Sequence, residues 1–403
     1  MKTLLIVESP NKAKQIRGYF PDFTVIATVG HFKDLPPKSM GVEPPDHKPE
    51  WVVVDGKQQI VSQLCSAAKV ADIIYIATDP DREGEAIAAH VANTLGKQVA
   101  SKVSRITYSE VSKATIQKAI QHKRGINWPL VRAQEARRVV DRYVGYLVSS
   151  ELTKKFKPHG VTSYLTAGRV QSVALKLVVE RHDDIAKFIS IKHYGLSVVL
   201  QKAGVEFIAQ WRPILRTGEL LTDINKANDV KNRTQALKVL EVKSQPKMIK
   251  PPKPLITSSF VRLMAAALKL TTKEAMSAAQ TLFERGLITY HRTDSPVMSK
   301  EFASTLRDFA VRHKLPLPKT SREFKAKANA QEGHECLRVT DINVPNARAA
   351  GIDDRLLQAV YQLVWKITLE SQLADAVEEE SVHPELRLGE SVLRAPGKYI
   401  RVR

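Results

Sequence analysis

Two short, wholly apolar runs each end in a carboxylate: Leu4-Leu5-Ile6-Val7 before Glu8, and Ile73-Ile74-Tyr75-Ile76-Ala77 shortly before Asp79. Runs of this length without polar alternation read as strands covered on both faces, the kind that lie in parallel sheets between helices. After the second run Ile87, Val91 and Leu95 recur at spacing four, which predicts an amphipathic helix from about Gly84. Strand, acidic loop and helix make one α/β unit, and open α/β sheets bind ligands at the carboxyl ends of their strands.

The remainder predicts further domains, since 403 residues exceed what one core usually organises. Residues 35–49 are Pro-rich and read as a loop, and residues 127–152 interleave Arg and Glu with Val, Ala and Tyr as a helix would. From Ser190 onward, residues 196–200, 207–211 and 239–242 read as short strands, and residues 246–254, Pro-Lys-Met-Ile-Lys-Pro-Pro-Lys-Pro, as a stiff basic connector. Beyond it, Phe260, Leu263, Met264, Ala267 and Leu268 share one helical face. A capping box, Thr271 with Glu274, opens a second helix that Gly286 stops, and a strand over 287–293 follows in a winged-helix-like order. A last helix over 356–373 precedes an acidic, turn-rich tail from Glu378. The expected domains are 1–126, 127–189, 190–250, 251–375 and 376–403.

Lys plus Arg number 62 against 42 Asp plus Glu, a net charge of +20, which favours a polyanionic partner. Nucleic acid is the first expectation and an anionic membrane surface the rival, but no apolar run approaches the roughly twenty residues that span a bilayer. Residues 1–7 are too brief for a secretory signal, so a cytoplasmic location is expected. Cys65 and Cys336 stand far apart and build neither a disulfide framework nor a Cys-rich zinc module. Gly56-Lys57, Gly96-Lys97 and Gly397-Lys398 are followed by Gln, Gln and Tyr, so no phosphate-binding loop of a nucleotide motor is visible.

Four constellations carry chemistry. Asp79, Asp81 and Glu83 stand at spacing two, which in an extended segment turns all three carboxylates the same way. With Glu8 at the same sheet edge they suit Mg²⁺, which takes one or two carboxylates and keeps water and substrate phosphate. An ordinary acidic loop capping a helix N-terminus is the alternative. In Ile288-Thr289-Tyr290-His291-Arg292-Thr293-Asp294, strand geometry sets a guanidinium beside a phenol. Ionising a free tyrosine at pH 7 costs roughly 4 kcal/mol, which a nearby cation lowers; such a phenol can attack a phosphodiester and keep the bond energy in a phosphotyrosine. A cross-strand packing pair is the alternative. Thr166-Ala167-Gly168-Arg169-Val170-Gln171-Ser172, at a helix start, reads as a phosphate cradle or as a plain capped helix. Glu332-Gly333-His334-Glu335-Cys336-Leu337-Arg338 lacks the second His of a zinc-protease helix.

Taken in order, these segments resemble the type IA DNA topoisomerases. Ile-Val-Glu8-Ser-Pro-Asn-Lys12-Ala-Lys, Gly30-His31-Phe-Lys-Asp34-Leu-Pro and Asp79-x-Asp81-x-Glu83-Gly-Glu resemble that family's Toprim domain. Arg137-Arg138-Val-Val-Asp141-Arg142-Tyr-Val-Gly-Tyr, Ala167-Gly168-Arg169-Val-Gln171-Ser, Ile-Thr-Tyr290-His-Arg292-Thr-Asp and Gly333-His334-Glu335 with Arg338 resemble its later motifs. The resemblance implies a Toprim α/β domain followed by helical, β-rich and winged-helix-like arch domains. It implies an ATP-independent monomer that cuts one strand of negatively supercoiled DNA, passes a strand and reseals it. Tyr290 would be the nucleophile, Glu8 the acid at the leaving 3′-oxygen, and Arg292 and Lys12 the cations at the transferring phosphate. Asp79 and Asp81, with Glu8 or Glu83, would hold Mg²⁺. His31, Arg137, Arg138, Asp141, the residues Thr166, Ala167, Gly168, Arg169, Val170 and Gln171, and His334 and Arg338 would contact DNA or support the site. Family members usually continue well past the last helix, so a non-catalytic single-strand-binding remnant is a second expectation. A Toprim primase or nuclease is a third, in which the Tyr290 segment has no task.

Overall fold

The computed structural model describes residues 1–160, 162–202, 204–211, 221–233, 238–326, 335–388, 391–394 and 400–402. They form two compact units: Met1–Lys176 with Pro252–Leu373, and Leu177–Pro251 with Ala374–Arg403. The first opens with β1 (Thr3–Val7), α1 (Pro10–Tyr19) and β2 (Phe23–Ala27). Two-residue strands β3 (Lys33–Asp34) and β6 (Val52–Val53) pair with each other, as do β4 (Val42–Glu43) and β5 (Lys48–Pro49), so the expected 35–49 loop holds a small hairpin. Then come α2 (Gln58–Val70), β7 (Ile73–Ile76), α3 (Arg82–Leu95), β8 (Val103–Arg105) and α4 (Lys113–Gln121).

Strands β2-β1-β7-β8 form a parallel sheet in that order. The unbroken apolar runs are explained by its two covered faces. Leu4 and Ile6 pack with Phe32, Leu64, Ile74, Ile76, Ile87 and Val91, while Leu5 and Val7 pack with Val25, Tyr75 and Ala77 on the other side. Full burial of each such side chain contributes about 1.5–3 kcal/mol relative to exposure. Because β1 pairs with β7 through Ile6 and Ile76, the chain leaves both strands at one edge, carrying Glu8 and Asp79 there together. α3 begins two residues earlier than its periodicity suggests, capped by Asp81. Gly84 permits this, since a Cβ there would lie 2.1 Å from the Asp79 carbonyl oxygen. The helical stretch that follows is α5 (Trp128–Tyr143), one π-helical turn and α6 (Ser149–Phe156), and α7 (Arg169–Ala186) starts at the Gly168-Arg169 junction.

The second unit contains β9 (Leu196–Lys202), β10 (Val205–Trp211), α8 (Ile224–Arg233), β11 (Lys238–Ile249), β12 (Ala376–Leu388), β13 (Ser391–Arg394) and β14 (Ile400–Val402). Its antiparallel sheet runs β11-β12-β13-β10-β9, with β14 also on β12. Two expectations are corrected here. The connector assigned from Pro246 is strand as far as Ile249, and the described residues of the tail from Glu378, namely 378–388, 391–394 and 400–402, are strand instead of turns. Each supplies the other's ladder, Pro246 opposite Glu379 and Lys247 opposite Glu378, a partnership across more than a hundred residues that local pattern does not reveal. β11 is an edge strand, where a proline without an N–H is tolerated.

The first unit resumes with α9 (Thr257–Leu268), α10 (Thr272–Glu284), α11 (Lys300–Arg312) and α12 (Arg355–Glu370). The capping box on α10 is present: Thr271 Oγ1 accepts from the Glu274 amide at 3.3 Å and Glu274 Oε2 from the Thr271 amide at 2.9 Å. The expected strand over 287–293 is not formed. It reduces to a single bridge, Ile288 with Val339, after which the Thr289 amide donates to Arg338 O and the Tyr290 amide to Ser109 O. Gly286, at φ +74°, lets the end of α10 approach Val111, whose carbonyl oxygen would lie 2.4 Å from a Cβ. One apolar core joins Leu5, Val7, Ile106 and Ile116 to Phe260, Met264, Leu282, Phe283 and Tyr290.

The acidic edge is held from beneath by Arg105, fully buried at the end of β8. It donates to the carbonyls of Ile76 (3.1 Å), Thr78 (2.8 Å), Asp79 (2.8 Å) and Ile106 (2.5 Å), and to Glu85 at 3.0 Å. Arg105→Met strips four carbonyls of a donor and leaves buried Glu85 with only Arg124 and the Asn127 amide. We expect it to cost about 3–5 kcal/mol in urea unfolding; a loss below about 1 kcal/mol would contradict this account.

Candidate active site

Glu8 follows the end of β1 and Lys12 stands in the first turn of α1. Ser9 caps that helix by accepting from the Lys12 amide at 3.2 Å, which aims Lys12 inward from the first turn. Its ammonium is fully buried, bonded to Asp79 Oδ1 and 3.6 Å from Glu8 Oε1. Burial opposes the charge, but Asp79 and Glu8 more than offset it, so Lys12 is held protonated more firmly than an ordinary lysine. Asp79 is pushed up to about 7 by burial, Lys12 pulling it down and Glu8 pushing it up again. The Asp79 amide donates to Glu8 Oε2 at 3.4 Å.

Asp81 does two things at once. One oxygen caps α3 by accepting from the Gly84 amide at 2.7 Å, and the other accepts from the Tyr290 phenol at 2.6 Å. The late segment therefore delivers its hydroxyl onto the acidic loop of the first hundred residues. Tyr290 is buried, its ring edge against Phe283 at 5.3 Å, and Lys12 lies over the same Phe283 ring at 4.9 Å. Burial raises the phenol's pKa, and the Asp79 and Asp81 charges and the bond to Asp81 raise it further; Arg292 pulls the other way and does not prevail. Tyr290 in this state is a phenol, not a phenolate. Arg292 itself is exposed.

Glu83 departs from the expected convergence. The helix has already begun at Arg82, so the every-second-residue geometry of a strand ends at Asp81 and Glu83 turns to His31 (3.1 Å) and Gln134 (3.0 Å). The His31 bond, then Gln134, hold its carboxyl down to about 2 against its partial burial. Glu8, Asp79, Asp81, Glu83, His31, Arg137 and Arg292 nonetheless line one cavity of about 1270 Å³.

The donors fit a metal ion that is only partly protein-bound. Among the described residues no three Asp, Glu, His or Cys side chains close on one point, and Lys12, the Gly84 amide, the phenol and His31 each occupy a carboxylate oxygen. Hard oxygen donors spread along one cavity wall, with room for water and phosphate, suit Mg²⁺ better than a closed all-protein cage.

Most of the remaining site residues lie on α5 or at the start of α7, and Arg338 lies between α11 and α12. Arg138 pairs with Asp34, with Nε to Oδ1 at 2.9 Å, and Arg169 is bidentate to Asp141 at 2.5 and 3.0 Å, Arg137 standing 3.9 Å from the same Asp141. Thr166, Arg169, Val170 and Gln171 are exposed, whereas the Ala167 amide is turned in to Ser149 Oγ at 2.8 Å. The Gly168 amide donates to Ser172 Oγ at 3.3 Å. Arg338 is 4% exposed and faces carboxylates instead of solvent. His334 lies outside the described residues, as do Glu332 and Gly333. Arg105, Gln134, Ser109 and Glu110 were not singled out from sequence; only their nearness in space marks them, and no spacing rule carries that.

Comparison with known proteins bears on the family and the fold. A family model described as DNA topoisomerase matches residues 125–402, and one described as Toprim domain matches residues 3–111. The chain is 35% identical to DNA topoisomerase 1 of Aquifex aeolicus over 95% of its own length and 70% of that protein's. It is 34% identical to DNA topoisomerase 1 of Escherichia coli K12 over 99% of its length and 50% of that protein's. It superposes on full-length topoisomerase I from Thermotoga maritima with a TM-score of 0.83 and 30% identity, covering 99% of this chain and 66% of the other. The chain spans about half the length of several curated relatives that it matches, that of Pasteurella multocida among them.

The Glu83 cluster gives a pH test. A carboxyl held down to about 2 when folded contributes stability above its usual 4.5 and loses it as pH falls from there towards 2. Melting temperatures of the wild type and Glu83→Gln should differ at pH 7 and converge as pH drops through that window; a gap that stays constant would refute the assignment.

Proposed function

This chain belongs to the type IA DNA topoisomerases, and from that premise we propose that it cleaves and rejoins one DNA strand through Tyr290. The observation that carries the reading is the 2.6 Å bond between the Tyr290 phenol and Asp81, at the corner that also holds Glu8, Lys12 and Asp79. In the proposed reaction the Tyr290 oxygen attacks phosphorus, the bond to the 3′-oxygen breaks, and a 5′-phosphotyrosine forms. The phenol is held neutral, so its proton has to leave as the bond forms, and Asp81 is the acceptor in contact with it. Glu8 protonates the departing 3′-oxygen and takes that proton back when the hydroxyl returns to expel the tyrosine. Because the phosphotyrosine stores the bond energy, no ATP is needed.

Lys12 and Arg292 offset the charge that builds on the phosphate oxygens. Asp79 and Asp81, with Glu8 or Glu83, would hold Mg²⁺, which when bound would supply further positive charge for the phosphate. Arg137, Arg138, Arg169 and Gln171, with His31, are proposed to track a single strand, and the exposure of Arg137, Arg169 and Gln171 and the chain's +20 charge support this. The substrate proposed is single-stranded DNA within negatively supercoiled molecules, and the acting form a cytoplasmic monomer.

Trapping the covalent complex tests the reading. An oligonucleotide labelled at its 3′ end should transfer label to the wild type, and Tyr290→Phe should give no adduct. Asp81→Asn should lower adduct formation by about 10²-fold or more, the usual contribution of a positioned proton acceptor. Transfer of a 5′-end label in place of the 3′-end label, or an adduct that survives Tyr290→Phe, would exclude the mechanism.

A further inference from the structure

A second constellation adjoins Tyr290, beside a cavity distinct from the one that the acidic residues line. The Arg338 guanidinium is 2.7 Å from Glu335 on its own segment and 3.3 Å from Glu110 across the contact with residues 1–126, and it lies 3.9 Å above the Phe302 ring. Its backbone brackets Thr289: the Thr289 amide donates to Arg338 O at 2.9 Å, and the Arg338 amide donates to Thr289 Oγ1 at 2.9 Å. The next residue is Tyr290, whose amide crosses to Ser109 O at 2.8 Å. Ser109 Oγ in turn donates to Glu335 at 3.4 Å. Arg338 is thus linked to the backbone that carries the phenol and to the domain that carries the acids.

We infer that Arg338 and Glu110 form a releasable clasp that sets how often the Tyr290 segment parts from the domain of residues 1–126. Breaking a buried ion pair normally strands a charge, and that cost would make such a contact permanent. Here each partner keeps a second one on its own side. Arg338 retains Glu335 and the Val339 carbonyl at 3.0 Å, and Glu110 retains the hydroxyls of Ser112 at 3.1 Å and Thr115 at 2.9 Å. A cavity of about 540 Å³, lined by Glu110, Glu335, Arg338 and hydroxyl side chains, lies open beside the pair and can admit water as it separates. The other ion pair between these two segments among the described residues, Lys118 with Glu301, is exposed at both ends and too well solvated to decide the equilibrium. Arg338 is a positioning residue in this account. Its importance for strand passage rests on the topoisomerase reading above; the clasp itself does not.

Hydrogen–deuterium exchange on the full chain without DNA, resolved to single amides, tests the clasp independently of any cleavage chemistry. Glu110→Gln keeps an acceptor for Ser112 and Thr115 but removes the charge that Arg338 meets. The Tyr290 amide, bonded across the contact, should exchange about tenfold faster, whereas the Thr289 amide, bonded within the segment, should not change. Lys118→Ala should leave both unaltered. Equal acceleration of the two amides, no acceleration of either, or the same effect from Lys118→Ala would each overturn the inference. A failed covalent trap with the exchange pattern intact would instead fault the topoisomerase reading and leave the clasp standing.

Discussion

The site is organised by one buried ammonium. Lys12 sits with no solvent contact between two carboxylates at the carboxyl edge of a parallel sheet, and neither partner is free to leave without exposing the other to an uncompensated charge. That constraint ties the first turn of α1 to the segment that follows β7, fixes Asp79 at the start of the acidic loop, and leaves Glu8 beside it. The same ammonium lies over Phe283, whose ring edge meets Tyr290, so a single charge touches both the acidic corner and the wall behind the phenol.

From this follows an electrostatic division of labour. The corner is acidic enough to keep Tyr290 protonated and to hold a cation, yet one of its charges, Asp79, is already matched inside the protein. In the proposed reaction a phosphate arriving here meets carboxylates that would repel it, softened by Lys12 from within and by Arg292 from the exposed side. A divalent ion would complete that compensation, which is why a partly liganded site makes chemical sense where a closed one does not.

Much of this was legible in the sequence because it is local. The apolar runs leading to Glu8 and Asp79 and the α10 capping box rest on patterns within a few residues. The errors came where a local rule met a distant partner. Pro246 reads as a breaker until β12 supplies its ladder, and the 287–293 strand dissolves because its amides are taken singly by Arg338 and Ser109. Glu83 was assigned by strand spacing, but a helix starts beneath it. Arg105 left no signal at all: a lone arginine in Val-Ser-Arg-Ile is unremarkable until four carbonyls gather around it.

The contact that delivers Tyr290 is mixed, and the mixture bears on whether it can open. Part of it is core: the face of the sheet that carries Leu5 and Val7 is continuous with Phe260, Leu282 and Phe283. Part of it is a polar seam, made of Tyr290 to Asp81 and Ser109, Asn11 to Glu284 at 2.7 Å, and Glu110 to Arg338. Hydrogen bonds of this kind contribute about 0.5–1.5 kcal/mol each once exchange with water is counted, and water restores most of that loss when the seam parts. α10, which shares this core, buries Ala275, Ala278 and Ala279 alongside Leu282 and Phe283, and alanines forfeit little apolar area on exposure. A proposed strand-passing enzyme needs a contact firm enough to align a phenol within hydrogen-bond distance and weak enough to release it, and small side chains backed by exchangeable polar bonds satisfy both demands.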